Sequence, residues 1–390
     1  MSFDEQIDRV GTHCAKWDMM EKLYGVPPQT GLAMWVADMD FRPPTVVQRA
    51  VEAMAEHGLY GYFGEDSKYI AAVQWWMKTR HGWDVAKESI FTTHGLVNGT
   101  GLCVDAFTAP GDGVVLLTPV YHAFARVITG AGRRVVECKL AQTNGRYTMD
   151  FDAWDAQMTG TETMLILCSP HNPGGRVWSE EELRGVADFC VRHDLVLVSD
   201  EIHHDLVFPG QTHHVMANVA PDIAARLVMM TASTKTFNIA GCHTGNVIIA
   251  DPKLRAQFAE RMNALGISPN SFGMHMVTAA YSPEGAEWLD NLMGYLAENK
   301  RLFDEGVNAI PGIRSMSLDA TYLAWVDFAG TGMTAPEFIA RVEKTAVIAA
   351  SHGPTFGSGG ETFLRFNIAT TRANIIDAVA RMQTAFADLQ

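Results

Sequence analysis

LVMMTASTKTFNIAGCHTGNVIIA, residues 227 to 250, opens apolar and crosses the hydroxyls of Thr231, Ser233 and Thr234. It then reaches a single lysine, Lys235, and returns through glycines to a second apolar run. Continuous apolar runs of this length are the mark of strands buried on both faces. Hydroxyls and glycines between two such runs suit a loop shaped around an oxyanion, because Ser and Thr donate hydrogen bonds and Gly lets backbone come close. A lysine beside that loop is a phosphate clamp, an amine poised for a Schiff base, or simply a surface residue after a strand.

Further apolar runs lie upstream, at Val114–Leu117, Arg134–Glu137, Met164–Cys168 and Leu195–Val198, and the opening stretch supplies Leu227–Met230 and Val247–Ile249. Helix-length segments separate them, which predicts an α/β domain with a mainly parallel sheet and right-handed crossovers. After Met164–Cys168, Ser179 and Glu182 fit a capping box, and Leu183, Val186, Ala187, Cys190 and Val191 form an apolar stripe. Helices are also predicted from Thr45 to His57 and from Tyr69 to Arg80. Between them GLYGYFGED presents Tyr60, Tyr62 and Phe63 on a glycine-rich loop. Residues 1 to 45 are broken by Pro27, Pro28, Pro43 and Pro44, and Asp38 and Asp40 read as caps for the segment after them. From about residue 285 the pattern changes. Helical segments Trp288–Asn308 and Ala335–Val347 flank short strands at Thr321–Phe328 and Thr362–Ile368, as in a smaller α+β domain.

A chain of 390 residues exceeds the usual size of one core, so two domains are expected. Apolar residues make up 47% and charged ones 19%, which suits a folded enzyme. A net charge of −14 argues against nucleic acid or an anionic membrane as partner. The six cysteines, Cys14, Cys103, Cys138, Cys168, Cys190 and Cys242, form no CxxC pair and read as free thiols of a reducing compartment. The polar start MSFDEQIDRVG has no secretory core, and no apolar run approaches the ~20 residues that span a bilayer. A cytoplasmic protein is expected.

In open α/β sheets ligands bind at the carboxyl ends of the strands. There the sequence places Tyr121 in TPVYHAF, Asn172 in SPHNPGG, Asp200 and His203 in SDEIHHD, and Lys235. TTHGLVNGTG, before a helix, offers backbone N–H groups for a phosphate. An amine, a carboxylate, an amide, an aromatic ring and an anion cradle on one rim suit pyridoxal 5′-phosphate. His203 and His204 pair with His213 and His214 ten residues on; no cysteine accompanies them and no closed four-ligand set appears, so no metal is expected and the last three read as loop residues. His203 is expected to support the pocket behind Asp200.

SPHNPGGRVW, SDEIHHDL, TASTKTFNIAG and RFNIAT resemble the fold-type I pyridoxal-phosphate enzymes of the class I/II aminotransferase superfamily. WVADMDF, YGYF, SDEIH and KTFNIAG together resemble its MalY/PatB-type branch, the cystathionine β-lyases or C–S lyases. The resemblance implies a large domain with a mainly parallel seven-stranded sheet (46–284), a smaller α+β C-terminal domain (285–390), and an N-terminal segment (1–45) packing on the small domain. It implies that Lys235 forms the imine and acts as acid and base, and that Asp200 pairs with the pyridine nitrogen. Asn172 donates to the phenolate oxygen and Tyr121 stacks on the ring, both also meeting substrate. Gly95, Leu96, Ser233 and Thr234 hold the phosphate, and Tyr62 reaches it from the neighbouring subunit of a homodimer. Arg365 binds the substrate carboxylate as a fork. The sequence departs from many aminotransferases in carrying His243 eight residues after the lysine, where they have a cation, and Ala232 three before it, where they have serine. The lyase branch often lacks that cation.

The expected reaction is α,β-elimination from L-cystathionine or another S-substituted cysteine, giving thiol, pyruvate and ammonia. An aminotransferase is the alternative; it calls for a cation that recognises the substrate side chain, with Arg126 and Arg42 as candidates. A third alternative is a regulatory partner whose catalysis is secondary.

Overall fold

The computed structural model describes residues 3–389. Seven strands make the main sheet: β1 (Ile90–Thr93), β2 (Gly113–Thr118), β3 (Arg134–Lys139), β4 (Glu162–Cys168), β5 (Val196–Asp200), β6 (Leu227–Thr231) and β7 (Gly245–Ile248). Their order is β1-β7-β6-β5-β4-β2-β3. Neighbours from β6 to β3 pair in parallel, whereas β7 runs antiparallel to both β6 and β1. Alternate residues of β2 feed two cores: Val115 and Leu117 pack on one face, Val114 and Leu116 on the other. Burial on both faces is why the inner strands read as unbroken apolar runs, whereas β3, at the sheet edge, is largely exposed or half-buried. Apolar patterning does not single out β1, because IFTT is short, half polar and at the sheet edge.

The helices that bear on the site are α1 (Thr45–His57), α2 (Ser67–His81), α3 (Leu96–Phe107), α4 (Ala123–Gly130), α5 (Glu180–Arg192) and α6 (Pro283–Asn308). At α5 the capping box forms in both directions between Ser179 and Glu182. Leu183, Val186, Ala187 and Cys190 are buried, but Val191 is 50% exposed. Steps of four residues advance about 40° beyond a full turn, so two steps from Leu183 carry Val191 off the buried stripe.

A four-stranded antiparallel sheet comes next, built from β8 (Arg314–Ser315), β9 (Leu323–Asp327), β10 (Ser351–His352) and β11 (Phe363–Asn367) in the order β8-β9-β11-β10. The helix expected over 335–347 stops at Ala340; a widened turn spans Arg341–Thr345, and Val347 takes a left-handed φ of 56°. That turn frees Ile348–Ala349 to pair in parallel with Leu32–Ala33. The boundary expected at 284 falls on the second residue of α6.

Residues 35–41 run from that pairing toward the carboxyl ends of the main strands. Asp40, expected as a cap, is instead buried in an ion-pair cluster: Lys16 Nζ lies 2.9 Å from Oδ2 and Arg9 Nη1 2.8 Å from Oδ1. Burial pushes its carboxyl up, but Lys16, Trp17 and Arg9 outweigh that and hold it below the usual range. α1 has Pro44 at its N-cap and no side-chain cap. Asn238, in the loop after Lys235, ties this segment down: its Oδ1 accepts from Met39 N–H, and its Nδ2 donates to the Met39 and Phe41 carbonyls.

Candidate active site

Register explains how the site is assembled. Cys168 at the end of β4 lies opposite Asp200 at the end of β5, and Asp200 lies opposite Met230 in β6. β1 ends beside the start of β7, with Thr93 opposite Gly245. The segments after β1, β4, β5 and β6 therefore open on one rim, around a cavity of about 560 Å³. Gly95, Leu96, Tyr121, Asn172, Asp200, His203, Thr234 and Lys235 all line it. Eight residues chosen from sequence, on five separate segments, thus meet at one place.

Lys235 Nζ donates to the Ala37 carbonyl at 2.6 Å, and Tyr322 Oη donates to the same oxygen at 3.0 Å. Burial pulls the lysine down to about 8, with Asp38 and Asp200 opposing and Arg365 assisting. An amine so placed is substantially neutral near pH 8 and hence nucleophilic. The Asp200 carboxyl moves the other way, pushed up to about 7 by burial. Ile202 N–H is its hydrogen-bond donor at 3.1 Å. A carboxyl this poorly solvated gains much from a cation brought to it. His203 is buried, and burial holds it down at about 3, so the ring is neutral; it sits 6.2 Å from the Tyr322 ring.

Asn172 Oδ1 accepts from Arg365 Nη1 at 2.9 Å. Arg365 is buried, its Nη2 donating to the Trp35 carbonyl at 2.9 Å and to Ser351 Oγ at 3.2 Å. Its guanidinium lies 4.9 Å from the centre of the Phe356 ring. The fork is therefore held behind Asn172, on groups that are all neutral acceptors. A carboxylate entering there competes against weaker, uncharged partners.

At the other end of the cavity Gly95 sits at φ 82° as the N-cap of α3, a conformation L side chains rarely adopt. His243 faces it from across the loop. Ser233, next to cavity-lining Thr234, is buried with a hydroxyl that has no hydrogen-bond partner among the described residues. Buried hydroxyls are normally satisfied, so this one awaits an acceptor. A free amine, an under-solvated acid, an unsatisfied hydroxyl and a helix N-terminus together fit a molecule that brings an aldehyde, a basic ring nitrogen and a phosphate.

Two expected residues lie elsewhere. Tyr62 is fully exposed, on a separate cleft with Met54, Leu59, Ser271 and His275. Arg42 is on the surface, paired with Glu5. Arg126, by contrast, lines the cavity, and no ion pair of its guanidinium is found among the described residues. Sequence reading missed the Ala37 carbonyl, Tyr322 and Ser351. A backbone carbonyl leaves no trace in sequence, and Tyr322 sits within an apolar run that reads as core. His204 and His213 lie in loops, as expected, but His204 is buried and the His213 side chain is turned inward onto Glu201.

Residues 35–382 match the family "Aminotransferase class I and II". The chain is 38% identical over 388 residues to cystathionine beta-lyase PatB of Bacillus subtilis (strain 168), covering 99% of this chain and 100% of that protein. It is 29% identical over 388 residues to Protein MalY of Escherichia coli (strain K12), covering 98% of each. Among solved structures, cystalysin from Treponema denticola, which contains a pyridoxal 5′-phosphate cofactor, has a TM-score of 0.95 at 34% identity, covering 100% of this chain and 99% of that one.

Proposed function

We propose a function that starts from one fact: the chain belongs to the class I and II aminotransferase family. It is a pyridoxal-phosphate-dependent carbon–sulfur β-lyase. It cleaves L-cystathionine or other S-substituted cysteines by α,β-elimination, releasing thiol, pyruvate and ammonia. The observation that carries this reading is the buried Lys235 amine, pulled down to about 8, facing the same cavity as the buried Asp200 carboxyl, in a chain that matches cystathionine beta-lyase PatB end to end.

Bound there, pyridoxal 5′-phosphate supplies an aldehyde to capture the substrate amine and a ring that draws electrons away from Cα. Lys235 would hold the cofactor through its amine and would take the substrate Cα proton when that amine is unengaged. The Ala37 carbonyl and the Tyr322 hydroxyl fix where Nζ rests between these duties. Asp200 would pair with the ring nitrogen and keep its proton in place, with His203 lining the same cavity. Asn172 donates to the phenolate oxygen, and Tyr121 covers the ring face. Gly95, Leu96, Ser233 and Thr234 take the phosphate, with Tyr62 of the neighbouring copy completing that end of the site. Arg365 releases the Trp35 carbonyl and Ser351 to grip the substrate carboxylate, which orients the Cα–H bond toward Lys235. Positioned proton transfer of this kind is worth ~10²–10⁴ in rate. The working unit is a homodimer in the cytoplasm. Buried cysteines, none of them paired, support the reducing compartment, and among the described residues no helix is long and apolar enough to cross a membrane.

The test is incubation of the purified protein with L-cystathionine and no added 2-oxo acid. Thiol and pyruvate should appear together in equal amounts. Strict dependence on a 2-oxo acid, with no thiol released, overturns the reading in favour of an aminotransferase. The unpaired Arg126 at the cavity wall is the observation that keeps that second reading in play, because it offers a cation to an acidic side chain.

A further inference from the structure

Where the end of α2 meets the loops after β5, three imidazoles and a carboxylate gather. His81, the last residue of α2, hydrogen-bonds Asp205 Oδ1 through Nε2 at 2.8 Å, a bond whose proton a metal ion would replace. His204 places Nε2 3.4 Å from Asp205 Oδ2. One ligand atom from each of the three residues lies within 4.8 Å of the others. The rings of His81 and His204 are 4.4 Å apart, and His213 stands 6.0 and 6.2 Å from them. His81 and His213 also line a solvent-connected cleft of about 510 Å³ whose rim carries Glu180 and Glu181.

The hydrogen bonds fix which ring nitrogens carry protons. His204 Nδ1 bonds the Glu201 carbonyl, which can only accept, so Nδ1 holds the hydrogen and Nε2 is a bare lone pair. Among the described residues that lone pair has no hydrogen-bond partner, and it faces an oxygen of Asp205, another pure acceptor. His213 repeats the pattern: Nε2 donates to Glu201 Oε2 at 2.7 Å, leaving Nδ1 buried without a partner among the described residues. Lone pairs pointed at a carboxylate repel unless a positive species lies between them. Asp205 is held in place by donors from Trp76 (2.9 Å) and Thr236 (2.8 Å). An imidazole whose far nitrogen donates to a carbonyl or carboxylate is the usual arrangement of a metal-bound histidine.

We propose that His81, His204 and Asp205 bind a divalent transition-metal ion of the zinc class, with the remaining position open to water or His213 from the cleft. Bonds of ~2.0–2.2 Å to a tetrahedral ion separate ligand atoms by roughly 3.3–3.6 Å; here His81 Nε2 is 2.8 Å from one Asp205 oxygen, His204 Nε2 is 3.4 Å from the other, and one ligand atom of each residue lies within 4.8 Å of the others, so the rings and the carboxylate shift to meet a shared ion. Imidazole and carboxylate donors suit Zn²⁺, with Co²⁺ as a spectroscopic substitute. The ion acts as a clamp. His204 and His213 both hold Glu201, the residue after Asp200, so a metal fixing these rings stiffens the turn that carries Asp200.

The test uses the holoenzyme stripped with a chelator, then titrated with ZnCl₂ by calorimetry and with CoCl₂ by visible absorption. One equivalent of Zn²⁺ should bind at micromolar or lower concentration and raise the melting temperature, and Co²⁺ should show the intense absorption of a four-coordinate site. His204→Asn keeps the donor to Glu201 while deleting the ligand nitrogen. His81→Gln keeps a donor to Asp205. Each should weaken Zn²⁺ binding at least tenfold, while His57→Gln on the surface leaves it unchanged. Absence of saturable binding, a weak six-coordinate cobalt spectrum, or affinity unaltered in His81→Gln overturns the proposal. Should His204→Asn fail to fold, His81→Gln and the wild-type cobalt spectrum decide. Lyase activity enters none of these readouts.

Discussion

Lys235 shares one carbonyl with Tyr322, and this sets what substitutions there do. Lys235→Ala should lower turnover at least ~10²–10⁴-fold, and borohydride reduction should no longer fix the cofactor to the chain, as read by mass spectrometry. The apoprotein amine, pulled to about 8, is protonated below that value and unreactive. Cofactor uptake by apoprotein should therefore quicken as pH rises through about 8 and then level off, in a stopped-flow absorbance measurement. Asp200 presents the opposite case. Its folded value near 7 exceeds the unfolded carboxyl value, so burying it costs stability increasingly as pH rises between the two. Asp200→Asn should raise the apoprotein melting temperature by a few degrees at pH 8 and hardly at pH 4, while abolishing turnover. Arg126→Gln should reduce kcat/KM for cystathionine, whose far end carries a carboxylate, by tenfold or more, and leave S-methylcysteine nearly untouched. Lys235, Asp200 and Asn172 were legible because each closes an apolar run, where an α/β sheet puts its ligands. Ala37 was not, since its function resides in a backbone oxygen delivered by a segment far away in the chain.

At the level of elements, the parts specified locally were readable and the parts specified by tertiary pairing were not. The α5 capping box needs only residues 179–182, and it forms. Ser179→Ala should cost about 0.5–2 kcal/mol in denaturant unfolding with kcat unchanged. The antiparallel course of β7 is invisible in GNVI, because direction is a property of the sheet and not of the run. The break after Ala340 likewise answers to the pairing of Ile348–Ala349 with Leu32–Ala33. Segment 35–41 is stabilised by the fully buried Lys16 on Asp40. Lys16→Met leaves that carboxylate with Arg9 and Trp17, and should destabilise by on the order of 3 kcal/mol. Because the same segment presents the Ala37 carbonyl to Lys235, kcat should fall as well.

The whole molecule carries an exposed apolar cluster at Leu59, Tyr60 and Tyr62 on the side of α1. If Tyr62 serves the neighbouring copy's phosphate end, two defective chains should rescue one another. Lys235→Ala mixed with Tyr62→Ala should regain part of the wild-type rate after subunit exchange, because one site per heterodimer then has both groups. Light scattering should give twice 42.8 kDa. Two distant ends of the chain meet at Arg365, whose guanidinium grips the Trp35 carbonyl across 330 residues of sequence. A polypeptide emerging from the ribosome can thus shape its main sheet long before it owns a substrate pocket. The grip on the substrate carboxylate waits until residue 365 has been made, long after the segments that line the cavity.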